Sequence, residues 1–506
     1  MRLPHYKSKI IPALLLSIGC LASACKKMVD INPPIDTIDN KNVFNSPDKV
    51  NAAVSGLYFL MMKNTGEPTF SNGSTTCYAG MMADELVPSM GTTIPEDYQF
   101  YTNKLLLSNP KPGPDLWSYP YKVIYAANAI LEGIAGATSP AITDSIKKQA
   151  IGESRLARAF ALFYLTNFYG DIPTPMSTNV LIEGKQPRQP IDKVYQIILD
   201  DLKAAIELLP DNYAVTNGEK VRPNRYAAIA LLARVYLYRQ QWQEAAATAD
   251  KLISSGQFSL TTLENAFEPN SKEAIWQLLY DMKNGQSFHI PESMNLMPAL
   301  SISMLDEASQ EFFTDPANFE SVQLFIIPTY ILSDHLTQAF EPGDQRFNKW
   351  TDSLRAPAVA PWNGIEYRFA RKYVQANPDG TDAHPYYTVF RLAEQYLIRA
   401  EAQAQLGDVA GAASDLNAIR SRAGLPATAA SSKEALLTAI AHERQIELFA
   451  EWGHRWFDLK RTNKATTVLS AIKEKQPWSD NNLLLFIPPL EIQNDPMLKQ
   501  NPGYTW

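Results

Sequence analysis

The stretch Arg225–Phe258 reads RYAAIALLARVYLYRQQWQEAAATADKLISSGQF, and its pattern decides the fold. An apolar helix rich in Ala, Leu and Tyr is followed by a polar turn at Gln240-Gln241 and then by an alanine-rich second helix. Arg391–Gly424 repeats this arrangement as RLAEQYLIRAEAQAQLGDVAGAASDLNAIRSRAG, with its turn at Gly407-Asp408. Small residues let paired helices pack closely, which is typical of tetratricopeptide-like repeats. The sequence therefore predicts an all-α scaffold built from helix pairs.

Two further segments fit the same scaffold. Residues 147–169 and 191–209 are predicted to form another pair, and the apolar residues of the second segment fall on one stripe at helical spacing. Less regular stretches at 64–120 and 259–388 separate these elements and are rich in Pro, Gly, Asn and aromatic residues. Long loops on a rigid scaffold usually carry function, so we expect the binding site in these two excursions.

The N-terminus has the layout of an export signal. Its first nine residues carry three positive charges and no acid, and residues 10–18 form a short apolar run. This run is too short to span a bilayer, which is typical of a cleaved signal peptide. We predict that residues 1–24 are a lipoprotein signal peptide.

The cysteine that follows is the predicted lipid attachment site. Leu21-Ala22-Ser23-Ala24-Cys25 places small residues before a thiol, as lipoprotein processing requires. We predict lipidation of Cys25, with Cys20 as the alternative acceptor. Ordinary secretion with a free thiol at Cys25 is the other alternative. The Asp-, Asn- and Pro-rich residues 25–46 are predicted to be an extended tether.

The remaining chain, residues 47–506, is predicted to be one helical body because no Gly/Ser-rich or charge-run linker divides it. The formal net charge is −7, and basic blocks are lacking. This balance argues against nucleic acid as a partner.

The C-terminal region carries a specific resemblance. His442–Arg461 reads HERQIELFAEWGHRWFDLKR, and Leu483–Tyr504 reads LLLFIPPLEIQNDPMLKQNPGY. Both closely resemble the C-terminal signatures of the SusD/RagB family of outer-membrane nutrient-binding lipoproteins. Similar blocks occur along the rest of the chain, at Phe44–Tyr58, Trp117–Ile130, Glu153–Pro173 and Arg391–Arg422.

The resemblance implies a SusD-like fold with about four tetratricopeptide-like helix pairs, an N-terminal part at about 47–255 and a C-terminal part at about 256–506. It also implies a lipid-anchored protein on the cell surface of the outer membrane. Such a protein would capture an oligosaccharide and deliver it to a SusC-like TonB-dependent barrel. Two alternatives remain, a peptide-binding RagB-like receptor and a tetratricopeptide protein–protein adaptor.

The sequence carries no recognisable catalytic or metal-binding pattern. A helical zinc site needs two histidines four residues apart, but the residue four after His442 is Ile446. A glycosidase needs two carboxylates at a defined separation, and sequence alone places no such pair. We therefore expect no enzyme activity, no metal and no cofactor.

Aromatic residues in the excursions are the stronger functional signal, because flat rings stack on the apolar faces of sugars while polar side chains bind the hydroxyls. Trp117 and Tyr121 begin a family-type helix and are predicted to be core, and Arg346 lies in a family-type turn and is predicted to be structural. The candidate ligand-binding residues are Asp84, Tyr98, Tyr101, Trp350, Trp362 and Tyr367.

Overall fold

Helices form most of this computed structural model, which describes residues 44–63, 69–280, 290–373 and 386–505. Twenty α-helices lie in these residues, numbered here in chain order. They are α1 (Pro47–Met62), α2 (Thr75–Met82), α3 (Pro95–Thr102), α4 (Tyr119–Ala135), α5 (Asp144–Tyr169), α6 (Val180–Glu183), α7 (Ile191–Leu208), α8 (Arg225–Tyr238), α9 (Trp242–Ile253), α10 (Pro291–Leu296), α11 (Glu307–Thr314), α12 (Pro316–Ile326), α13 (Asp334–Thr337), α14 (Gln345–Lys349), α15 (Leu392–Leu406), α16 (Val409–Arg422), α17 (Lys433–Glu447), α18 (His454–Arg461), α19 (Ala465–Leu469) and α20 (Pro489–Asn494). The strands are β1 (Leu86–Pro88), β2 (Ala274–Leu279), β3 (Tyr330–Leu332), β4 (Thr351–Arg355), β5 (Glu366–Ala370) and β6 (Tyr386–Arg391).

Eight of these helices form the scaffold. They stack in the order α4, α5, α7, α8, α9, α15, α16 and α17, each packed against the next. These eight helices make up four pairs. The predicted all-α fold with tetratricopeptide-like helix pairs is therefore confirmed. Helices α9 and α15 are direct neighbours although residues 254–391 separate them in the chain.

Local signals explain the two predicted hairpins. The Asn224 side chain accepts hydrogen bonds from two backbone N–H groups in the first turn of α8, at 2.9 and 3.3 Å. Asp408 caps α16 in the same way, at 2.9 Å. Gln240 and Gly407 adopt positive φ angles of 56° and 87° and end the preceding helices. Side-chain caps and left-handed residues satisfy helix ends, so each chain segment turns back on itself.

Buried ion pairs fix how neighbouring helices align. Arg158 on α5 donates two hydrogen bonds to Asp201 on α7, at 2.7 and 2.8 Å. Arg234 on α8 binds Glu394 on α15 in the same two-point manner, at 2.6 and 2.7 Å. A guanidinium group matches a carboxylate only in a narrow geometry, so these pairs select one register between helices.

The two excursions hold more regular structure than the sequence predicts. The first contains α2, α3 and β1, and the second contains helices α10 to α14 with the other five strands. The strands form three antiparallel ribbons of two strands each, β1–β3, β2–β6 and β4–β5. The β2–β6 ribbon closes the base of the second excursion, with Leu279 opposite Tyr386 and Ala274 opposite Arg391.

The C-terminal signature lies in a cluster of buried charges. Arg346 contacts Glu443 and Glu447 at 2.6 and 2.9 Å, and Arg391 contacts Glu447 and Glu451 at 2.5 and 2.8 Å. Burial alone would raise the pKa of Glu447, but the guanidinium groups of Arg391, Arg346 and Arg422 hold this pKa well below its usual range. Arg346 and its glutamate partners therefore act in structure, as predicted for Arg346.

No helix in the described ranges is long and apolar enough to cross a bilayer. The main hydrophobic core draws on both halves of the body, from Phe44 to Leu498. The predicted signal peptide, the candidate lipid sites Cys25 and Cys20, and residues 25–43 of the tether lie outside the described residues. Those assignments, and the division of the body near residue 255, remain predictions.

Candidate functional site

A short ribbon joins the two excursions. Leu86, Val87 and Pro88 of β1 pair with Leu332, Ile331 and Tyr330 of β3. Beyond the ribbon, the Ser89 hydroxyl donates to the Pro328 carbonyl at 2.6 Å. The Tyr330 hydroxyl donates to Asp97 at the start of α3, at 3.1 Å. The first excursion and the second, which are far apart in sequence, therefore form one structural unit.

Tyr98 and Tyr101 lie together on α3, next to this ribbon. Their ring centroids are 5.9 Å apart at a tilted angle, and both side chains are partly exposed. The Tyr101 ring also packs against the main core, and partial burial raises the pKa of its hydroxyl to about 12. The pair offers partly exposed aromatic surface supported from below by the core.

A buried lysine holds the end of α3 in place. The Lys475 ammonium donates to the carbonyls of Met81 and Met82 at 2.9 and 3.3 Å, to the Asn103 side chain at 2.7 Å, and to the Tyr101 carbonyl. Burial lowers the pKa of Lys475 to about 7. Lys475 thus fastens α3 to α2, and its sequence neighbourhood gave no signal of this role.

Trp362 lies in the turn between β4 and β5, and Tyr367 lies on β5. Trp362 meets Phe319 edge-on, with ring centroids 5.2 Å apart, and Tyr367 stands opposite Leu354. Both rings are partly buried on a small apolar cluster separate from the main core. Partial burial raises the pKa of the Tyr367 hydroxyl.

Strand β3 connects the two pairs of aromatic residues, because it packs against both β1 and β5. We call the exposed side of α3, the β1–β3 ribbon and the β4–β5 ribbon the excursion surface. The rings of Tyr98 and Tyr101 do not stack on those of Trp362 and Tyr367.

An apolar cleft of about 240 Å³ opens beside Trp362 and Tyr367. It is lined by Ala299, Leu300, Phe313, Val322, Phe325 and Ile326. The sequence reasoning missed this cleft, although its phenylalanines lie in the stretch predicted to carry function.

Trp350 lies in the core and away from this surface. Its side chain is 1% exposed, its indole N–H donates to the Leu263 carbonyl at 2.9 Å, and its ring meets Phe267 at 5.4 Å. A ligand has no access to a ring in this position. Trp350 is therefore not part of the excursion surface.

Asp84 forms a buried ion pair. Arg455 of α18 donates to both of its carboxylate oxygens, each at 2.7 Å, and the Ser333 hydroxyl donates to its carbonyl. The side chain is buried. In this arrangement Asp84 links the first excursion to the C-terminal signature.

Glu292 attaches the second excursion to the core. It lies in the first turn of α10, is buried, and accepts a hydrogen bond from the Tyr387 hydroxyl of β6. Burial raises the pKa of this carboxyl to about 8, with the negative charge of Glu451 acting in the same direction. Glu292 is therefore set to remain protonated at neutral pH.

A second, wider cleft lies on the scaffold. It measures about 540 Å³ and is lined by Leu60 of α1, the aromatic residues Trp117, Tyr121 and Tyr125, and Glu491 of α20. Trp117 is buried, as predicted for a core residue, and the Tyr121 hydroxyl donates to the Pro173 carbonyl at 2.9 Å. Only Tyr125 in this aromatic set is largely exposed.

Two family models match the chain. Residues 346–504 match a model described as SusD family, and residues 28–237 match a model described as starch-binding associating with outer membrane. A SusD-like protein of Formosa agariphila is 26% identical over 495 residues, which covers 91% of this chain and 92% of that protein.

Solved structures share the fold. A laminarin binding SusD-like protein superposes with a TM-score of 0.72 at 24% identity, covering 91% of this chain and 100% of its own. Surface glycan-binding protein A from Bacteroides uniformis gives a TM-score of 0.72 at 20% identity, covering 90% of this chain and 99% of its own. With both models, a full-length relative and the stacked helices in agreement, the chain belongs to the SusD family.

Proposed function

We propose that this protein is a non-catalytic receptor that captures an oligosaccharide on the excursion surface and delivers it to a SusC-like TonB-dependent barrel in the outer membrane. A lipid on Cys25 would keep the receptor at the cell surface. Ring stacking and a few hydrogen bonds would supply the binding energy.

One observation carries this proposal. The β1–β3 ribbon and the packing of β3 on β5 connect the elements that carry two pairs of partly exposed aromatic rings. Tyr98 and Tyr101 form the pair on α3, and Trp362 and Tyr367 form the pair on the β4–β5 ribbon. The exposed Asn363 next to Trp362 adds a polar group suited to a sugar hydroxyl.

The names of two structural neighbours support carbohydrate as the ligand class. One is called laminarin binding, and the other is called a surface glycan-binding protein. The description starch-binding associating with outer membrane, carried by the model that matches residues 28–237, supports the same class and the membrane setting.

A ligand screen tests the proposal. The purified protein would be tested by glycan array and by calorimetry against algal, plant, microbial and host polysaccharides, with peptides included. We expect at least one glycan to bind. Binding only to peptides would support the RagB-like receptor instead. Failure to bind any ligand, combined with several soluble protein partners and no barrel, would support the adaptor.

Variants then test where the ligand binds. Trp362→Ala and Tyr98→Ala should each weaken binding of the identified glycan by about tenfold, the value of one lost stacking contact. Tyr125→Ala is the matched control, since this exposed tyrosine lies on α4 and outside the excursion surface. If Tyr125→Ala weakened binding while the other two variants did not, the site would lie in the scaffold cleft.

Fractionation of cells tests the anchor and the partner. Cys25→Ala should release the protein from the membrane fraction, while Cys20→Ala should leave it there. The reverse result would assign the lipid to Cys20. A TonB-dependent barrel should co-purify with the wild-type protein after mild solubilisation, and its absence would count against delivery to such a partner.

A further inference from the structure

The loop between α5 and α7 exposes three large aliphatic residues in a row. Val180, Leu181 and Ile182 are 71%, 97% and 66% exposed, and they make up most of the single turn α6. We call these three residues the aliphatic tip. Single exposed aliphatic residues are common on protein surfaces, whereas a contiguous group usually marks a contact with another molecule or with lipid.

The loop that carries the tip is held firmly by buried and polar partners. The buried Asn128 of α4 donates to the Pro175 carbonyl at 3.0 Å. Glu132, one turn further along α4, accepts from the Thr178 backbone N–H at 2.8 Å. Ser177 donates to Glu183 at 2.7 Å, across the base of the turn. The tip therefore projects from a rigid support.

Two of the three tip residues have paired backbone N–H groups, as do the two residues that follow the tip. The Leu181 N–H donates to the Asn179 side chain at 3.1 Å, and the next two N–H groups donate to the Asn179 carbonyl at 3.0 and 2.9 Å. The Gly184 N–H donates to the Val180 carbonyl at 2.9 Å. Entering hydrocarbon is costly mainly for unpaired polar groups, and these donors are already paired.

The position of the tip indicates what it contacts. Phe44, where the described chain begins, packs its ring on the bare backbone of Gly133, where an added Cβ would lie 1.9 Å from the ring. Gly133 is next in sequence to Glu132, which binds Thr178, two residues before the tip. Phe44, the first described residue of the predicted tether, thus packs on the same part of α4 that holds the base of the aliphatic tip.

We propose that the aliphatic tip inserts into the lipid surface to which Cys25 is anchored, so that the body has a second attachment point on the membrane. The inference rests on the lipid anchor of the proposed function. The exposed Lys185 directly after the turn suits lipid phosphate groups. Because the tether already holds the body at the membrane, even shallow insertion of three aliphatic side chains would be effective.

A fluorescent label on the tip gives a direct test. The native lipoprotein carrying Leu181→Cys would be labelled with the environment-sensitive dye NBD and reconstituted into vesicles of phosphatidylethanolamine and phosphatidylglycerol. Cys77 is fully buried and Cys25 is acylated in this protein, so the introduced thiol takes the dye once Cys20 is removed with the signal peptide. The matched control is Leu406→Cys, a 53% exposed leucine at the end of α15.

We expect a blue-shifted emission from the tip label and quenching by nitroxide-bearing lipids, with neither effect at position 406. Identical, water-like spectra from both labels would overturn the proposal. In the unacylated chain of residues 26–506, Leu181→Asp should also lower vesicle partitioning by about tenfold or more, and Leu406→Asp should not.

Other outcomes separate this inference from the proposed function. Leu181→Asp should leave glycan affinity and barrel co-purification unchanged. If Leu181→Asp abolished barrel co-purification while the tip label stayed water-like, the tip would be a protein contact and the lipid proposal would be wrong. Failure of the wild-type protein to reconstitute with vesicles would instead contradict the lipid anchor itself.

Discussion

Replacing Glu292 with Gln should reduce the dependence of stability on pH. The Glu292 carboxyl is buried, and burial raises its pKa to about 8. In the unfolded chain a glutamate has a pKa of about 4.3. Between these values the folded protein keeps a proton that the unfolded chain has released, so stability falls as the pH rises.

The size of this effect follows from the difference between the two pKa values. Each pKa unit is worth about 1.4 kcal/mol in the free energy of unfolding. The stabilising contribution of the protonated Glu292 carboxyl is fully present below about pH 4, the pKa of glutamate in the unfolded chain. The wild-type protein should lose up to about 5 kcal/mol of it between about pH 4 and pH 8. Glu292→Gln keeps a carbonyl that can accept from Tyr387 and carries no charge at any pH, so it should lack this loss.

Urea unfolding of the wild type and Glu292→Gln at about pH 5 and about pH 8.5 measures the difference. The variant should lie within about 1 kcal/mol of the wild type at the lower pH and clearly exceed it in stability at the higher pH. Glu434→Gln, which changes an exposed glutamate on α17, is the control and should follow the wild type. Parallel loss of stability in wild type and Glu292→Gln would refute the assignment of a protonated Glu292.

Further variants test the other contacts. Arg455→Ala should cost about 3–5 kcal/mol in urea unfolding, because it leaves Asp84 buried without its two-point partner; a change below about 1 kcal/mol would contradict that role. Trp350→Ala should cost about 3–5 kcal/mol as a core truncation and leave the affinity of the folded protein for glycan unchanged. Gly133→Ala should destabilise by about 1–3 kcal/mol, because the new methyl group would overlap Phe44; adding Phe44→Ala should remove most of this extra penalty, and simple additivity in the double-mutant cycle would argue against the contact.

The scaffold could be predicted because its signals are local. Helical periodicity, small residues on the packed faces and capping residues such as Asn224 and Asp408 lie within about ten residues of the structure they determine. The segments Arg225–Phe258 and Arg391–Gly424 accordingly form the helix hairpins α8–α9 and α15–α16.

The candidate surface was harder to predict because its contacts are not local. Strands β1 and β3 are three residues each, too short for a periodic signal, and residues 89–329 separate them in the chain. Trp350 is an aromatic residue in an irregular stretch, which is the type of residue expected to bind a sugar. It directly follows the short helix α14, however, and its ring packs against Phe267 in the core. Aromatic residues in irregular stretches can fill small cores or face solvent, and sequence alone does not separate these outcomes.

The second excursion leaves the scaffold at α9 and returns at its direct neighbour α15. Its two ends therefore lie close together, as in segments that tolerate exchange between homologues. A chimera could therefore carry a relative's second excursion on these helices while the host scaffold stays intact. Because β1 pairs with β3 and Asp84 pairs with Arg455, the first excursion would have to be exchanged with the second for the grafted surface to assemble. Under the proposed function, ligand specificity would therefore depend on two segments that have to be exchanged together.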